Sequence, residues 1–327
     1  MPAFKTKAPS RTRKIKLKRK IRSRDWFLKP YIHQYATEVK SNAARLAWHI
    51  SSGYCRKPEE QKEALLRDFI NTDRRFLAAN NPDARIHFYR HWAYHGHQFA
   101  VGHDNYLVTF TPERYVKALA AAKSFDIKKL QAWTRNVLLG FDYIGIVEPA
   151  YYSNFKLGLH EPPVIAFHVH AIVRNPDTDR LRQVLEGINR AHRSLVPGCP
   201  VADMRPITPG DHHKVLKYLV KEPSGNYRAY PERQEVMDPR TGEIQSWMTR
   251  RFRQKSKLAS PGVQLRTREV IKGWHMDKIV LVGGAGRKTL KTVRKELMQF
   301  MPYKTRRGRQ NEFSGYFEKP DYGEYAN

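Results

Sequence analysis

Apolar runs separated by polar and turn-forming segments divide the middle of the chain into alternating strands and helices. Four runs have strand character: YLVTFT (106–111), YIGIVEP (143–149), PPVIAFHVHAIV (162–173) and VADMRPIT (201–208). Helical patterns extend from Pro112 to about Leu139, from Asp179 to about Leu195, and again after the fourth run. The order β-α-β-β-α-β-α predicts an α+β fold with a ferredoxin-like split βαβ antiparallel sheet. We expect helices on one face of that sheet and a ligand on the other.

The helix after the fourth strand reads DHHKVLKYLVKEP and has a start signal of its own. Thr208, Pro209 and Asp211 suit an N-cap, a first-turn proline and a capping acid. The core predicted in this way extends over residues 101–225.

The segments on either side of this core have different patterns. Residues 25–100 predict a mainly helical N-terminal region, in which EEQKEALLRDFI places Leu65, Leu66, Phe69 and Ile70 on one face. The pattern over residues 226–300 predicts an extension of the core. It contains a turn at DPRTGE between short strands, a strand at KIVLV (278–282) and a helix at TLKTVRKELMQF (289–300).

The charge balance indicates the kind of partner. The chain has 60 Lys and Arg against 31 Asp and Glu, a formal net charge of +29. Residues 1–24 contain eleven basic and no acidic residues, and residues 301–327 are rich in Arg, Lys, Gly and Tyr, so we expect a disordered basic arm and a flexible tail. An excess of this size favours a polyanion, with nucleic acid as the leading candidate.

A membrane surface is the rival partner of a basic chain. No apolar run approaches the roughly 18 residues that cross a bilayer, and the N-terminus has no apolar signal segment. Cys55 and Cys199 are the only cysteines, which fits a reducing compartment and excludes a disulfide framework or a Cys-rich zinc site. The sequence therefore predicts a cytoplasmic protein that works on DNA and not on a membrane.

Two histidines interrupt the apolar strand FHVHAIV. His168 and His170 are two residues apart, so their imidazoles project from the same face of the strand. Two neutral imidazoles at that spacing can share a metal ion, although each could also be an ordinary core or surface residue.

Tyr218 and Lys221 share a face of the helix DHHKVLKYLVKEP, one turn apart, with Lys214 on the same side. Neighbouring ammonium groups favour a phenolate, and tyrosine is among the residues that form covalent intermediates. The alternative is an amphipathic tyrosine at the edge of the core with solvated lysines.

YLVTFT, FHVHAIV and KVLKYLVK, in that order, resemble the three motifs of HUH endonucleases, the family of rolling-circle replication initiators, relaxases and related transposases. Val169 stands at the hydrophobic position between the histidines. The single Tyr-x-x-Lys is similar to the single-tyrosine initiator branch. The resemblance covers residues 105–222, about a third of the chain.

The resemblance implies a site and a substrate. His168, His170 and a third ligand would bind Mg²⁺ or Mn²⁺; Glu148 is favoured as that ligand, with His160 and Glu161 as alternatives. Tyr218 would attack a single-stranded or hairpin origin DNA phosphate, leaving a 5′-phosphotyrosine and a free 3′-hydroxyl, and Lys221 would hold the phosphate. A host helicase and polymerase would be further partners. The extension over residues 226–300 is expected to contact DNA. Candidate DNA contacts lie on the tyrosine helix and in MTRRFRQKSK of that extension: Lys214, Lys217, Arg250, Arg251 and Arg253.

Three other functions compete with replication initiation. A relaxase or a single-tyrosine transposase would use the same chemistry. A non-catalytic RNA-recognition-like module is built from the same β-α-β-β-α-β order, but its sheet stacks bases on aromatic residues, and FHVHAIV has histidines there. VGGAGRKT (282–289) lacks the G-x-x-x-x-G-K-[ST] spacing of a phosphate-binding loop, so an ATPase activity is not supported.

Overall fold

The computed structural model describes residues 27–70, 77–154 and 163–300. The predicted basic arm and the predicted C-terminal tail lie outside these residues. Within them the fold is α+β, a mixed, open sheet with helices packed against it.

Three helices precede the sheet: α1 (Lys29–Ser51), α2 (Glu59–Ile70) and α3 (Pro82–Ala100). The side chain of Asn81 accepts a hydrogen bond of 2.9 Å from the backbone N–H of Ala84, and Pro82 occupies the first turn, so α3 has a well-defined start. The mainly helical region predicted across residues 25–100 is interrupted at residues 52–58.

The sheet has eight strands in the described part of the chain. Their bounds are β1 (Asn105–Phe110), β2 (Val116–Ala118), β3 (Asp142–Tyr152), β4 (Val164–Arg174), β5 (Ala202–Pro206), β6 (Gly225–Met237), β7 (Ile244–Leu258) and β8 (Val280–Gly283). The order is β5-β1-β4-β3-β6-β7, with β2 on β4 and β8 on β3. Strand β3 pairs with β6 in parallel, while the other pairings are antiparallel, so the sheet is mixed.

Five further helices pack against the two faces of this sheet: α4 (Ile127–Val137), α5 (Thr178–Ala191), α6 (His212–Leu219), α7 (Pro261–Val270) and α8 (Gly286–Phe300). Leu130 of α4 and Leu181 of α5 join the core cluster of one face. Ile144, Ile146 and Ile172 on the other face are buried by α1, α3, α6 and α8. No helix among the described residues is both long enough and apolar enough to span a bilayer.

Helices therefore cover both faces, and the prediction of helices on one face alone is wrong. The physical reason is that β3 and β4 are apolar at nearly every position, so both of their faces need cover. The N-terminal helices and α8 provide that cover over part of the second face.

The single long helix predicted from Pro112 to Leu139 is also wrong. The chain forms two short 3₁₀ helices around β2, and only then does α4 begin, where the Asp126 side chain accepts a 3.0 Å hydrogen bond from the N–H of Lys128. Strand β2 extends the edge of β4 by pairing Val116 with Ala166. Edge pairing outweighs the helical propensity of this alanine-rich stretch.

Other predicted boundaries shift by a few residues. Helix α5 ends at Ala191 instead of Leu195, because Ser194 bridges to Pro112. Helix α6 begins at His212, and Asp211 makes no side-chain capping hydrogen bond, so the predicted cap is wrong. The turn predicted at DPRTGE is present, but β6 and β7 on either side have 13 and 15 residues and are not short.

Candidate active site

The pairing of β3 with β4 brings the predicted metal ligands together. Glu148 is directly opposite His168 in the antiparallel register, and His170 is two residues further along the same face. One ligand atom from each of the three side chains lies within 4.8 Å of the others. All three are buried, with 5–6% of their surface exposed. The alternatives His160 and Glu161 lie outside the described residues.

The two imidazoles are oriented by their Nδ1 atoms. Nδ1 of His170 lies 2.9 Å from Oγ1 of Thr109, and Nδ1 of His168 lies 3.4 Å from the carbonyl oxygen of Ala166. A carbonyl only accepts, so Nδ1 of His168 is the donor there, and we infer the same role for His170. Both Nε2 atoms then present lone pairs to each other at 3.1 Å, an arrangement that a cation stabilises.

Glu148 completes a group that can bind a metal ion. Its Oε2 lies 3.7 Å from Nε2 of both histidines and has no hydrogen-bond partner in the described part of the chain, which is costly for a buried carboxylate oxygen. The point equidistant from these three atoms lies about 2.0 Å from each, close to the metal–ligand distances of divalent cations in proteins.

Electrostatics keep His170 neutral. Burial lowers its pKa well below the ordinary range, and the nearby His168 and Lys221 lower it further. At neutral pH the ring is therefore uncharged, and with its proton on Nδ1 the Nε2 atom carries a lone pair, as metal binding requires.

Tyr218 lies beside this group, in the last turn of α6. Its hydroxyl oxygen is 3.1 Å from Nε2 of His170, and the two rings meet edge to face with centroids 4.8 Å apart. Tyr218 is 38% exposed, in contrast to the buried ligands. One side of the phenol thus faces His170, and part of the ring is open to solvent.

Lys221 follows the end of α6 and connects Tyr218 to Glu148. Its Nζ is 3.4 Å from Oε1 of Glu148 and 3.7 Å from the centroid of the Tyr218 ring. Burial acts to lower the pKa of Lys221, but Glu148, Tyr227 and Tyr218 outweigh burial and raise it above the usual value, so the side chain stays charged. Tyr227 of β6, whose own pKa is raised chiefly by burial, is thereby a neighbour of the site.

The backbone just after Tyr218 is held by two residues of the N-terminal helices. The hydroxyl of Tyr35 donates to the carbonyl of Val220 at 2.8 Å. The Arg85 guanidinium donates to the carbonyls of Val220 and Lys221 at 3.0 and 3.2 Å. These bonds satisfy carbonyls at the C-terminal end of α6, which have no partner within the helix.

Glu222 anchors the next position through a buried ion pair with Arg268 of α7. Asn42 of α1 donates to the other carboxylate oxygen at 2.6 Å, and Arg268 also donates to the carbonyl of Asn80 at 3.1 Å. We refer to Tyr35, Arg85, Glu222 and Arg268 as the clamp. Sequence reasoning missed them, because two buried arginines look like any of the 60 basic residues in this chain.

A glycine lets α6 approach α3 closely. A Cβ atom added at Gly96 of α3 would overlap the side chain of Leu216, which is fully buried on the inner side of α6. The close contact and the clamp fix the helix from two directions, and they set where the Tyr218 ring lies.

Three of the predicted DNA contacts form ion pairs with carboxylates other than Glu148. Lys214 pairs with Asp211 at 2.7 Å, Lys217 with Glu38 at 2.6 Å, and Arg253 with Glu232. The side chains of Arg250 and Arg251 lie outside the described part of the structure. Pairs between exposed side chains are worth at most about 1 kcal/mol, so these cations can exchange a carboxylate for a phosphate.

Neither a protein-family model, nor a curated protein, nor a solved structure matches this chain. The site itself indicates the chemistry. It contains a buried group that can hold a metal ion, a half-exposed phenol whose oxygen lies 3.1 Å from a histidine nitrogen of that group, and a charged lysine. Those parts suit nucleophilic attack on a phosphate.

Proposed function

We propose that this protein is a metal-dependent DNA endonuclease and strand transferase of the HUH type, which nicks single-stranded or hairpin origin DNA and starts rolling-circle replication. The observation that carries the proposal is the 3.1 Å separation between the Tyr218 oxygen and Nε2 of His170, inside a group that can bind metal. The antiparallel order β5-β1-β4-β3 supports a ferredoxin-like core for such an enzyme.

The metal is proposed to be Mn²⁺ or Mg²⁺, held by Glu148, His168 and His170. Two imidazole nitrogens favour manganese, while cellular abundance favours magnesium. When bound, the ion polarises the phosphate at the site of cleavage and stabilises the charge that develops on it.

Tyr218 is the nucleophile in this proposal. Its oxygen forms a bond to phosphorus while the bond from phosphorus to the 3′ oxygen breaks; the phenolic proton passes to solvent, and the 3′ oxygen takes a proton from solvent. The products are a 5′-phosphotyrosine and a 3′-hydroxyl that can prime synthesis. The reverse reaction rejoins strands without an external energy source.

Lys221 is proposed to neutralise charge on the phosphate and on the attacking oxygen. Its ammonium lies on the ring of Tyr218 and is tied to Glu148, so it is oriented before the substrate arrives. Affinity for DNA would come mainly from the net charge of +29, with a strong dependence on salt.

The test is metal-dependent cleavage. Single-stranded oligonucleotides that tile the replicon encoding this chain are incubated with the protein and Mn²⁺, with or without excess chelator. We expect one oligonucleotide to be nicked, no product with chelator, and almost none with His170→Ala, whose DNA affinity should be nearly unchanged. His33→Ala, at an exposed histidine of α1, is the control. Binding without any nicked product would instead indicate a non-catalytic nucleic-acid-binding protein.

A further inference from the structure

The β6–β7 hairpin extends far beyond the sheet. Strand β6 pairs with β3 only at Asn226 and Tyr227, whereas its pairing with β7 continues outward to Met237 and Ile244. Ten residues of strand rise about 33 Å. The outer half is thus a two-stranded ribbon with no third strand beside it in the described residues, and such ribbons are marginally stable in water.

Apolar side chains are exposed on both faces of this outer half, which we call the ribbon tip (residues 232–248). Met237 and Ile244 are paired across the strands and are 63% and 68% exposed, with Met248 on the same face. Val236 and Trp247 are exposed on the opposite face. Apolar exposure of this kind in a soluble domain indicates a surface that another molecule covers.

The charge of the ribbon tip is opposite to that of the chain. It carries four acidic residues (Glu232, Glu235, Asp238 and Glu243) against two basic ones (Arg233 and Arg240), in a chain of net charge +29. From residue 249 to residue 258 the hairpin has five basic and no acidic residues. We call residues 249–258 the hairpin base. A phosphate backbone is attracted to the positively charged hairpin base and repelled by the negatively charged ribbon tip. The ribbon tip therefore fits a protein surface with positive charge, and the DNA contacts expected for this region belong to the hairpin base.

We propose that the partner is a second copy of this chain, joined through the outer edge of β7 around a two-fold axis. Strand β7 is the last strand of the sheet order, so its outer edge has no neighbour in the described structure. A long edge strand with exposed apolar residues is a template for pairing with another chain. Two-fold pairing of β7 with itself is antiparallel and joins the uncharged run Ile244–Met248 of both copies.

Charge complementarity favours a second copy of this chain over a different protein as the partner. Antiparallel pairing centred on residues 244–248 sets the acidic turn of one copy, at residues 238–243, alongside the hairpin base of the other. The central run has no charges, so no like charges oppose each other there. The product is a four-stranded ribbon, which also supplies the additional strands that an isolated hairpin lacks. This dimer is independent of the proposed nuclease chemistry.

Sedimentation equilibrium of the DNA-free full-length chain across the micromolar range tests the proposal. We expect twice the chain mass of 38.3 kDa for the wild type. The double variant Ile244→Lys/Trp247→Lys places like charges on both sides of the two-fold axis. It should raise the dimer dissociation constant by about tenfold or more, because each substitution is present in both copies at the interface. Leu139→Lys, at a site that is 73% exposed outside the hairpin, should leave the dimer unchanged.

Two results would overturn the proposal. A wild type that stays monomeric at the highest concentration would assign the ribbon tip to a different protein. A double variant that dimerises like the wild type, with an unchanged melting temperature, would place the dimer contact elsewhere. The contribution of charge complementarity to the dimer is checked with Glu243→Lys, which should weaken the dimer. Glu59→Lys, at an exposed position of α2, should not weaken it.

Discussion

The hydroxyl oxygen of Tyr218 and Nε2 of His170 lie 3.1 Å apart, and the same nitrogen lies 3.1 Å from Nε2 of His168. The proposed nucleophile and the group that can bind a metal ion thus meet at a single atom, although they come from α6 and β4, 48 residues apart. Because of this contact, changes that move α6 and changes that move the His170 ring should affect the same reaction in distinguishable ways.

The orientation of His170 by Thr109 should determine metal affinity. Thr109→Val keeps the shape of the side chain but removes the oxygen that holds Nδ1, so we expect Mn²⁺ affinity to fall about 10- to 100-fold. Calorimetric titration of the DNA-free protein with Mn²⁺ measures this directly. Thr111→Val, two residues after Thr109 and just beyond the end of β1, is the matched control. Wild-type affinity in Thr109→Val would contradict the assigned role of Nδ1.

The clamp should affect the position of Tyr218 without affecting the metal. Tyr35→Phe removes the buried hydrogen bond to the carbonyl of Val220, so we expect a loss of about 1–2 kcal/mol in the free energy of unfolding and slower DNA cleavage at unchanged Mn²⁺ affinity. Urea unfolding and single-turnover cleavage are the measurements.

Tyr89→Phe is the control for this prediction. Tyr89 is fully buried against Tyr35, with ring centroids 4.3 Å apart, but its hydroxyl has no hydrogen-bond partner in the described structure. Removing that hydroxyl should leave stability unchanged or slightly increased. If both variants behave alike, the hydrogen bond to Val220 has no special role.

Glu296 should make stability depend on pH. Burial acts to raise the pKa of this carboxyl, but hydrogen bonds from His91 and His95, at 3.1 and 2.9 Å, outweigh burial and lower the pKa from about 4.5 to about 2. The folded pKa is depressed, so the stabilisation is present above pH 4.5 and is lost as the pH falls toward 2.

Glu296→Gln should therefore cost about 1–2 kcal/mol at pH 7, allowing for partial solvent exposure, and much less near pH 2. Urea unfolding at a series of pH values gives the comparison. Glu59→Gln, at a carboxylate that is 80% exposed, should show no such dependence. A cost for Glu296→Gln that is the same at all pH values would show that packing between α3 and α8, and not the charge, is responsible.

Parts of the fold and site follow from local patterns in the sequence. The two-residue period of a strand puts His168 and His170 on one face, and the helical period puts Tyr218 near Lys221; the described structure has both arrangements. The sequence favours Glu148 as the third ligand because it is the only acid in its predicted strand, and the register of β3 with β4 brings it to the histidines.

Other parts depend on contacts between distant segments. Nothing local distinguishes Arg85 or Arg268 from exposed arginines, and the ion pair of Arg268 with Glu222 exists only once folding brings α7 next to the segment that follows α6. The packing of α1, α3 and α8 on the second face of the sheet likewise depends on contacts between segments that are far apart in the sequence. A strand that is apolar throughout shows that both faces are buried, but not which helices bury them.

The most direct test of the central claim is whether Tyr218 becomes covalently attached to DNA. A cleavable single-stranded oligonucleotide labelled on the 3′ side of the nick is incubated with protein and Mn²⁺, and the adduct is isolated on a denaturing gel and mapped by peptide mass spectrometry. We predict a wild-type adduct on Tyr218, none with Tyr218→Phe at nearly unchanged DNA affinity, and a retained adduct with Tyr227→Phe. An adduct that persists in Tyr218→Phe, or nicking by the wild type without any adduct, would contradict the account.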